Sequence, residues 1–315
     1  MANGSRHSLY SVREEDYGVT PADPAFDLVR ITGTTLGLSK DSLQSEEIRS
    51  DRQISDFRLG ANQVGGDINF ELSYGTFDEF LQSVLLSEDW ETDTPVAGTQ
   101  QIKSGQKRTS FTLVREFADI AQADKPFYIY RGVEMASVQF TISANAIITG
   151  AFTVLGQSQS VATTLDEMGT PTFNPATTTS PLDSFTGTLQ EEGTPIGVVT
   201  ELTLTLQNTN DPRFVVGSKN SLRPSVGRSN LTGQLTAYFE DSSLVEKFLD
   251  ETDSSIEFTL PDLAGNEQKY VIPRIKYTGG QPDVSDEGPI TLTMPFQALL
   301  DASEGTNFLI QRTPA

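Results

Sequence analysis

The first change of hydrophobic period along the chain lies in residues 65–86. Apolar side chains first occupy every second position, which is typical of a half-buried strand: Ile68, Phe70 and Leu72. Polar side chains stand between them: Asp67, Asn69 and Glu71. The apolar spacing then becomes three and four residues, which predicts one face of a helix: Phe77, Phe80, Leu81, Val84 and Leu85. We therefore predict a strand followed by a helix whose Phe77, Phe80 and Leu81 pack on the sheet.

The same change of period returns in residues 232–252. Four residues make up the less polar side of this second strand: Gly233, Leu235, Ala237 and Phe239. The alternating polar side is uncharged: Thr232, Gln234 and Thr236. A short helix with Phe248 and Leu249 follows, and we expect those two side chains to pack on the sheet. The chain thus uses one strand-to-helix unit twice.

The remaining segments divide the chain around these two units. Residues 1–26 are polar and contain Pro21 and Pro24, so we expect an N-terminal arm. Residues 157–184 are rich in Ser, Thr and Pro, which is typical of a linker. The predicted domains are therefore 27–156 and 185–315, and within the first domain the charged stretch 40–64 is expected to be a loop or a long hairpin arm.

Both predicted domains have the same order of elements: a strand, a long polar loop, a strand, a helix and three strands. Several of these strands oppose large apolar residues to Thr and Gln, as in 201–206 and 290–296. The predicted fold class is mainly β, with two tandem domains that each have one short flanking α-helix. The neutral polar faces have two interpretations: the solvated outer face of an antiparallel sheet, or the wall of a water-filled channel.

The charge of the chain limits its possible partners. Its 43 Asp and Glu residues outnumber 22 Lys and Arg residues, which gives a net charge of −21. A protein that grips nucleic acid through phosphates needs the opposite sign, so any contact with DNA should be repulsive or indirect.

The residues needed for common enzyme chemistry are missing. The chain has no Cys, and its one His is His7, so neither a His-based zinc site nor a catalytic triad is expected. No phosphate-binding loop has the required spacing. Carboxylate pairs of the glycosidase type stay open, because many acids are present, but a solvated acidic surface explains them more simply. We predict no enzyme activity, no catalytic residue, no cofactor and no metal.

Membrane insertion is not expected either. No segment approaches the roughly 18 apolar residues of a membrane helix, and the N-terminus lacks the apolar run of a signal peptide. We expect a protein that is made in the cytoplasm and used there or assembled there into something larger.

Four segments of the chain resemble the tail tube proteins, or major tail proteins, of long-tailed bacteriophages. Residues 13–36 resemble the arm that leads into the first strand, and residues 45–85 contain the acidic strand and the Phe-rich helix. Residues 132–157 form two adjacent strands around a turn, and residues 225–249 repeat the pattern of the second segment. The order of these segments is more specific than any one of them.

This resemblance implies tail-tube-type domains of the β-sandwich or barrel-forming kind. In that family the inner strands of neighbouring subunits form a continuous barrel, rings stack into a tube, and DNA passes down the lumen during ejection. It implies that residues 40–64 are an inter-ring arm, and that six residues face the lumen: Asp67, Asn69, Glu71, Thr232, Gln234 and Thr236. Tape measure and tube-end proteins are the implied partners, in a virion tail assembled in the host cytoplasm.

Two domains in one chain change the expected ring. Three chains supply six domains, so we expect stacked trimeric rings with pseudo-hexameric appearance, and hexameric rings of whole chains remain the alternative. The alternative function is a β-sandwich receptor-binding or decoration protein of a virion. A secreted carbohydrate-active enzyme is the third and weakest hypothesis.

Overall fold

Strands dominate the computed structural model, which describes residues 2–284 and 287–315. They hold 50% of the chain and helices hold 8%, which confirms the mainly β class predicted from the alternating positions. Met1 of the predicted arm and residues 285–286 of the predicted second domain lie outside the described residues.

Twenty-three strands and two short α-helices follow one another along the described residues. The first half of the chain contains the strands β1 (His7–Arg13), β2 (Ala25–Val29), β3 (Gly33–Thr34), β4 (Gly37–Gln44), β5 (Phe57–Glu71), β6 (Glu91–Thr92), β7 (Gln100–Lys103), β8 (Phe111–Phe117), β9 (Phe127–Ser143), β10 (Thr149–Gly156), β11 (Ser158–Ala162) and β12 (Thr172–Asn174). The second half contains β13 (Thr188–Glu191), β14 (Thr194–Pro195), β15 (Val199–Gln207), β16 (Asp211–Arg213), β17 (Leu222–Ser225), β18 (Asn230–Tyr238), β19 (Ser254–Pro261), β20 (Glu267–Tyr277), β21 (Pro282–Asp283), β22 (Thr291–Ala298) and β23 (Leu309–Thr313). The α-helices are α1 (Asp78–Leu85) and α2 (Ser243–Leu249), and 3-10 helices cover Gly4–Arg6, Gln122–Asp124 and Asp166–Met168.

One sheet runs through both halves of the chain, and we call it the joined sheet. Its pairing order is β4–β5–β10–β9–β15–β18–β22–β20, with β3 also beside β5 and β21 also beside β22. The halves meet where β9 pairs antiparallel with β15, from Ser143 opposite Glu201 to Ser137 opposite Gln207. The sheet therefore passes from one half to the other without a break in its hydrogen-bond ladder.

Each half also has a second sheet beside the joined sheet, and the one in the second half includes β6 and β7 from the first half. The first side sheet has the order β12–β2–β1–β8–β9–β11, and the second has the order β14–β13–β19–β20–β23–β7–β6. The long strands β9 and β20 each belong to a side sheet with their first part and to the joined sheet with their last part. The pairing order of the first half, β1–β8–β9–β11 and β4–β5–β10–β9, thus returns in the second half as β13–β19–β20–β23 and β15–β18–β22–β20.

The hydrophobic core is continuous across the two halves. Phe70, Phe140 and Tyr270 lie in the same cluster of buried side chains, and the rings of Phe140 and Tyr270 are 5.4 Å apart between centroids. Phe70 packs on Phe152 at 4.7 Å. Because the contact between Phe140 and Tyr270 crosses from the first half to the second, the halves stabilise one another through aromatic burial.

The N-terminal segment is part of the fold, so the prediction of an unfolded arm over 1–26 was wrong for β1. This strand lies between β2 and β8 and pairs with both. Its two buried positions hold Leu9 and Ser11. One small polar residue on the buried side removes the apolar alternation by which a strand is recognised in sequence.

Two other segments have more structure than their composition indicates. Residues 40–64 are the outer part of a long hairpin formed by β4 and β5, which agrees with the long-hairpin alternative. Residues 157–184, predicted as a linker, include β11, a 3-10 helix and β12. Leu165 and Met168 from this segment pack on Phe26 in a small second cluster, so part of the segment is packed against the first side sheet.

The shared core predicts that the two halves unfold together. Phe140→Ala, at a residue that is 2% exposed, should lower the free energy of unfolding by about 3–5 kcal/mol. A single unfolding transition should shift to a lower denaturant concentration in titrations followed by near-ultraviolet circular dichroism. Gln139→Ala, on the other face of the same strand, should change the free energy by no more than ~0.5 kcal/mol. Two separate transitions, only one of them shifted, would contradict a shared core.

Candidate functional site, a polar sheet face between two free edges

The joined sheet has one face in the core and one polar face. Core residues alternate with polar residues along its central strands, for example Ile68 and Phe70 on β5 and Leu235 and Ala237 on β18. The residues between them form continuous rows across the strands. One row is Asn69–Ala151–Gln139–Thr205–Thr232–Gln297, and the next is Glu71–Thr149–Thr141–Thr203–Gln234–Pro295. This side of the sheet is the polar face.

All six residues that the sequence proposed for a lumen lie on this polar face. Asn69 shares a row with Thr232, and Glu71 shares a row with Gln234. Asp67 accepts a hydrogen bond of 2.8 Å from the Thr153 hydroxyl. Thr236, opposite Glu201 and Thr293, completes the set. The structure therefore brings together residues that are far apart in the two halves of the chain.

The polar face is acidic and otherwise neutral over its central strands. Its carboxylates are Asp67, Glu71 and Glu201, and the remaining side chains are mainly Thr, Ser, Gln and Asn. The sequence has no Lys, Arg or His in 65–71, 137–143, 149–155, 201–207, 230–238 and 291–298. A surface of this kind repels phosphate and offers it no cation to bind.

The joined sheet ends in two edges that have no partner among the described residues. At one end β3 and β4 pair with β5 and leave their other side open. At the other end β21 pairs with β22 and leaves its other side open. Unpaired N–H and C=O groups along a strand edge form a template for pairing with another chain.

A buried group of charges ties the second half to the first near the β9–β15 junction. The Glu134 side chain, 5% exposed, accepts hydrogen bonds from Arg108 Nη2 and from Arg223 Nε, the latter at 2.7 Å. Arg223 also lies over the Tyr17 ring, 5.2 Å from its centroid. Burial raises the pKa of the Tyr17 hydroxyl above its usual value, and the Glu134 carboxylate raises it further. No sequence motif marks these residues, because they come from four separate segments.

The two helices are packed differently. In α1 and just before it, Phe77, Phe80 and Leu81 are buried and belong to the main core cluster. In α2, Phe248 is half-buried and packs on the core, but Leu249 is 69% exposed. The packing expected for Leu249 is therefore not seen in the single chain, because the side of α2 that faces the core holds Leu244, Val245 and Phe248, and the next residue along the helix points away from it.

The described residues contain no group of three or more His, Asp or Glu side chains arranged to hold a metal ion. Within the same ranges no helix is long and apolar enough to cross a membrane.

A family model described as phage tail tube protein matches residues 4–298, nearly the whole chain. No curated protein matches the chain. The family match confirms the resemblance carried by the four segments, and it favours the tube role over the receptor-binding or decoration role. The chain therefore belongs to the phage tail tube protein family and is a structural protein of the phage tail tube.

Proposed function

We propose that this chain assembles with copies of itself into stacked rings whose joined sheets close into a barrel, with the polar face toward the lumen. One observation carries the proposal: a sheet that crosses both halves ends in two edges without a partner among the described residues, and the central strands of its polar face have no Lys, Arg or His. Pairing an open edge of one chain with the opposite open edge of the next removes both edges and closes the barrel. The protein acts by its shape and surface and has no enzyme activity.

The chain contains two tube units in this proposal. The first includes β1 to β11 with α1, and the second includes β13 to β23 with α2. The recurrence of the pairing order supports this division, and so does the position of β9–β15 in the middle of the joined sheet. The segment around β12 connects the units on the outside of the first side sheet.

Three chains then supply six similar units, and the proposed ring is a trimer with pseudo-hexameric appearance. The junction between chains uses the open edge of β3 and β4 and the open edge of β21, in the way that β9 and β15 meet within one chain. DNA passes the lumen without binding, and tape measure and tube-end proteins occupy the tube and its ends. The particle is assembled in the host cytoplasm.

Cryo-electron microscopy of the assembled tube tests this architecture directly. We expect three chains in each ring, strands β5, β10, β9, β15, β18 and β22 around the lumen, and a similar junction at six positions. A ring of six whole chains, in which only one unit of each chain lines the lumen, contradicts the two-unit ring. A compact protein that never forms rings or tubes at high concentration contradicts the tube proposal itself.

The acidic polar face generates a prediction about DNA transit. A phage with Asp67→Lys and Glu71→Lys should assemble tubes but eject DNA more slowly, because the new cations hold phosphates in the lumen. Ejection rates should recover as salt is raised, since each phosphate contact is weakened by salt. The matched control is Asp67→Asn with Glu71→Gln, which removes the charge without adding a cation and should eject at close to the wild-type rate. Unchanged ejection in the Lys variant would place this face away from the DNA path.

The exposed hairpin generates a prediction about assembly. Ser45 N donates to the Asp56 carbonyl at 3.1 Å, so the ends of the outer hairpin lie side by side. Because Gln44 is opposite Phe57 at the end of the ladder, replacing residues 46–56 with Asn-Gly leaves a three-residue loop, Ser45-Asn-Gly, between this pair, and the subunit should stay folded with an unchanged thermal transition. The variant should no longer form tubes in negative-stain micrographs. Normal tubes would show that the hairpin makes no essential contact, and an unfolded subunit would assign it to the core.

A further inference from the structure

The second half of the chain has a hairpin that reaches across the β9–β15 junction. It consists of β16 and β17 and the residues between them, and we call it the second hairpin. Asn62 N donates to the Lys219 carbonyl at 2.6 Å, and the Asn62 amide donates to Asn220 Oδ1 at 2.7 Å. Arg223 extends from this hairpin to Glu134. The second hairpin thus binds to the first half of its own chain, and we call a contact of this kind a clasp.

The outer part of β4 and β5, residues 42–59, occupies the matching position in the first half, and we call it the first hairpin. It connects β4 to β5 as the second hairpin connects β15 to β18. Leu43 pairs with Arg58 in the first hairpin, and Asp211 pairs with Ser225 in the second. Both hairpins therefore have a similar ladder at their base.

A glycine lies between each hairpin and the joined sheet. Gly227 stands four residues before Leu231, and Gly60 stands four residues before Val64 at the matching place on β5. Gly227 N donates to the Asn208 carbonyl at 3.0 Å where the second hairpin turns away. Opposite Gly60, the β4–β5 pairing has a register shift between Lys40 and Ser42. A bulge and a glycine are features that allow a strand pair to bend.

The first hairpin clasps nothing among the described residues of its own chain. Five large apolar side chains on it are more than half exposed: Leu43, Ile48, Ile54, Phe57 and Leu59. Such a cluster of exposed apolar side chains is typical of an interaction surface. The surface that receives the second hairpin lies around Glu134, and we call it a receiving surface. The matching receiving surface of the second half has no hairpin over it within the described parts of a single chain.

The receiving surfaces of the two halves have opposite charges. Glu134 is opposite Leu155 of β10, and Lys276 is opposite Gln297 of β22, so the two residues occupy matching places in their strands. Glu134 has a first partner in Arg108, just before β8. Lys276 Nζ lies 3.7 Å from Asp253 Oδ1, just before β19, and Arg274 Nε lies 2.9 Å from Oδ2 of the same carboxylate. The matching positions therefore have opposite signs, and the site of the second half has two cations on one carboxylate.

The site of the first half contains a further charge that comes from the second hairpin, whereas the site of the second half contains no residue of the first hairpin among the described residues. Arg223 supplies this further charge for Glu134, from a position eight residues before Leu231. Asp56 stands eight residues before Val64 and so matches Arg223, with the opposite sign. Its carboxylate is 64% exposed and lies 3.6 Å from the still more exposed Arg58. Lys276 is 37% exposed, and within the described ranges Asp253 is its one carboxylate partner within 4 Å.

We propose that the first hairpin bends at Gly60 and clasps the second half of the neighbouring chain in the same ring, where Asp56 pairs with Lys276. The contact rests on the proposed self-assembly and names the surface through which each chain holds the next. It differs from the inter-ring position that the family resemblance implies for residues 40–64. The second copy is the occupant because its own internal clasp has the same geometry with reversed charges.

The inverted charges make each clasp specific. Asp56 beside Glu134 would bring two carboxylates together, and Arg223 beside Lys276 would bring two cations together, so either exchange is repulsive. A chain therefore cannot add to a ring with its halves in the wrong order without creating like-charge contacts. The opposite charges therefore distinguish the junction within a chain, where Arg223 pairs with Glu134, from the junction between chains, where Asp56 pairs with Lys276.

A charge exchange tests the contact. Asp56→Lys and Lys276→Glu should each raise the subunit concentration needed for half-maximal ring formation by on the order of tenfold, measured by sedimentation velocity at low salt. The double variant should restore ring formation to near the wild-type concentration. Glu46→Lys is the matched control on the same hairpin: alone it should have little effect, and it should not rescue Lys276→Glu. Circular dichroism melting curves of all variants should superpose on that of the wild type.

Each result decides the contact. Single variants that form rings normally overturn it, and so does a double variant that is no better than the singles. Rings that form in the single variants but fail to stack would place the hairpin between rings and overturn the lateral clasp while leaving the tube intact. A wild-type chain that forms no rings contradicts the proposed function and with it this contact.

Discussion

The antiparallel pairing of β9 with β15 is the interaction on which the rest of the structure depends. Its seven residue pairs turn two similar sheets into one. The register also decides which side chains share a face, because a shift by one residue would move every alternate side chain to the other side. With this register Phe140 faces the core beside Tyr270, and Gln139 joins the polar row with Thr205. The shared core and the continuous polar face are therefore two consequences of one ladder.

The chemistry of the polar face follows from what a strand tolerates in water. Thr favours extended backbone and keeps a hydroxyl for solvent, so it fills the polar rows without adding charge. Asp67, Glu71 and Glu201 give the face a negative sign, and the absence of cations from the sequence of its central strands leaves that sign uncompensated. Part of the strong negative charge of the chain is therefore concentrated on the central strands of this face. In the proposed lumen, this face offers DNA a hydrated surface whose central strands have no cation to bind phosphate.

Alternation made the larger part of the fold predictable from sequence. Strands with one apolar side, such as β5 and β18, were recognised together with their faces, and α1 was recognised from its spacing. Segments whose burial does not follow a period were missed: β1 has Ser11 at a buried position, and Leu165 and Met168 are isolated apolar residues in a polar stretch. The Glu134 site was out of reach for another reason. Its charges come from segments far apart in the chain, and only the strand pairing places Arg108 and Arg223 on one carboxylate.

The two halves have similar strand pairing, but each contributes a different element to the other half. These contacts hold the two halves together within one chain. The first half contributes β7, which pairs with β23 and covers an edge of the second side sheet, and the second half contributes the hairpin that covers Glu134. Contacts made within one chain cost no translational or rotational freedom on assembly, because that freedom was lost when the chain folded. In the proposed ring of two-unit chains, half of the junctions are formed in advance. The junctions that remain are those between chains, where the proposal pairs the open strand edges and places the first hairpin beside Lys276, and these alone need to be balanced so that free subunits stay soluble and rings still close.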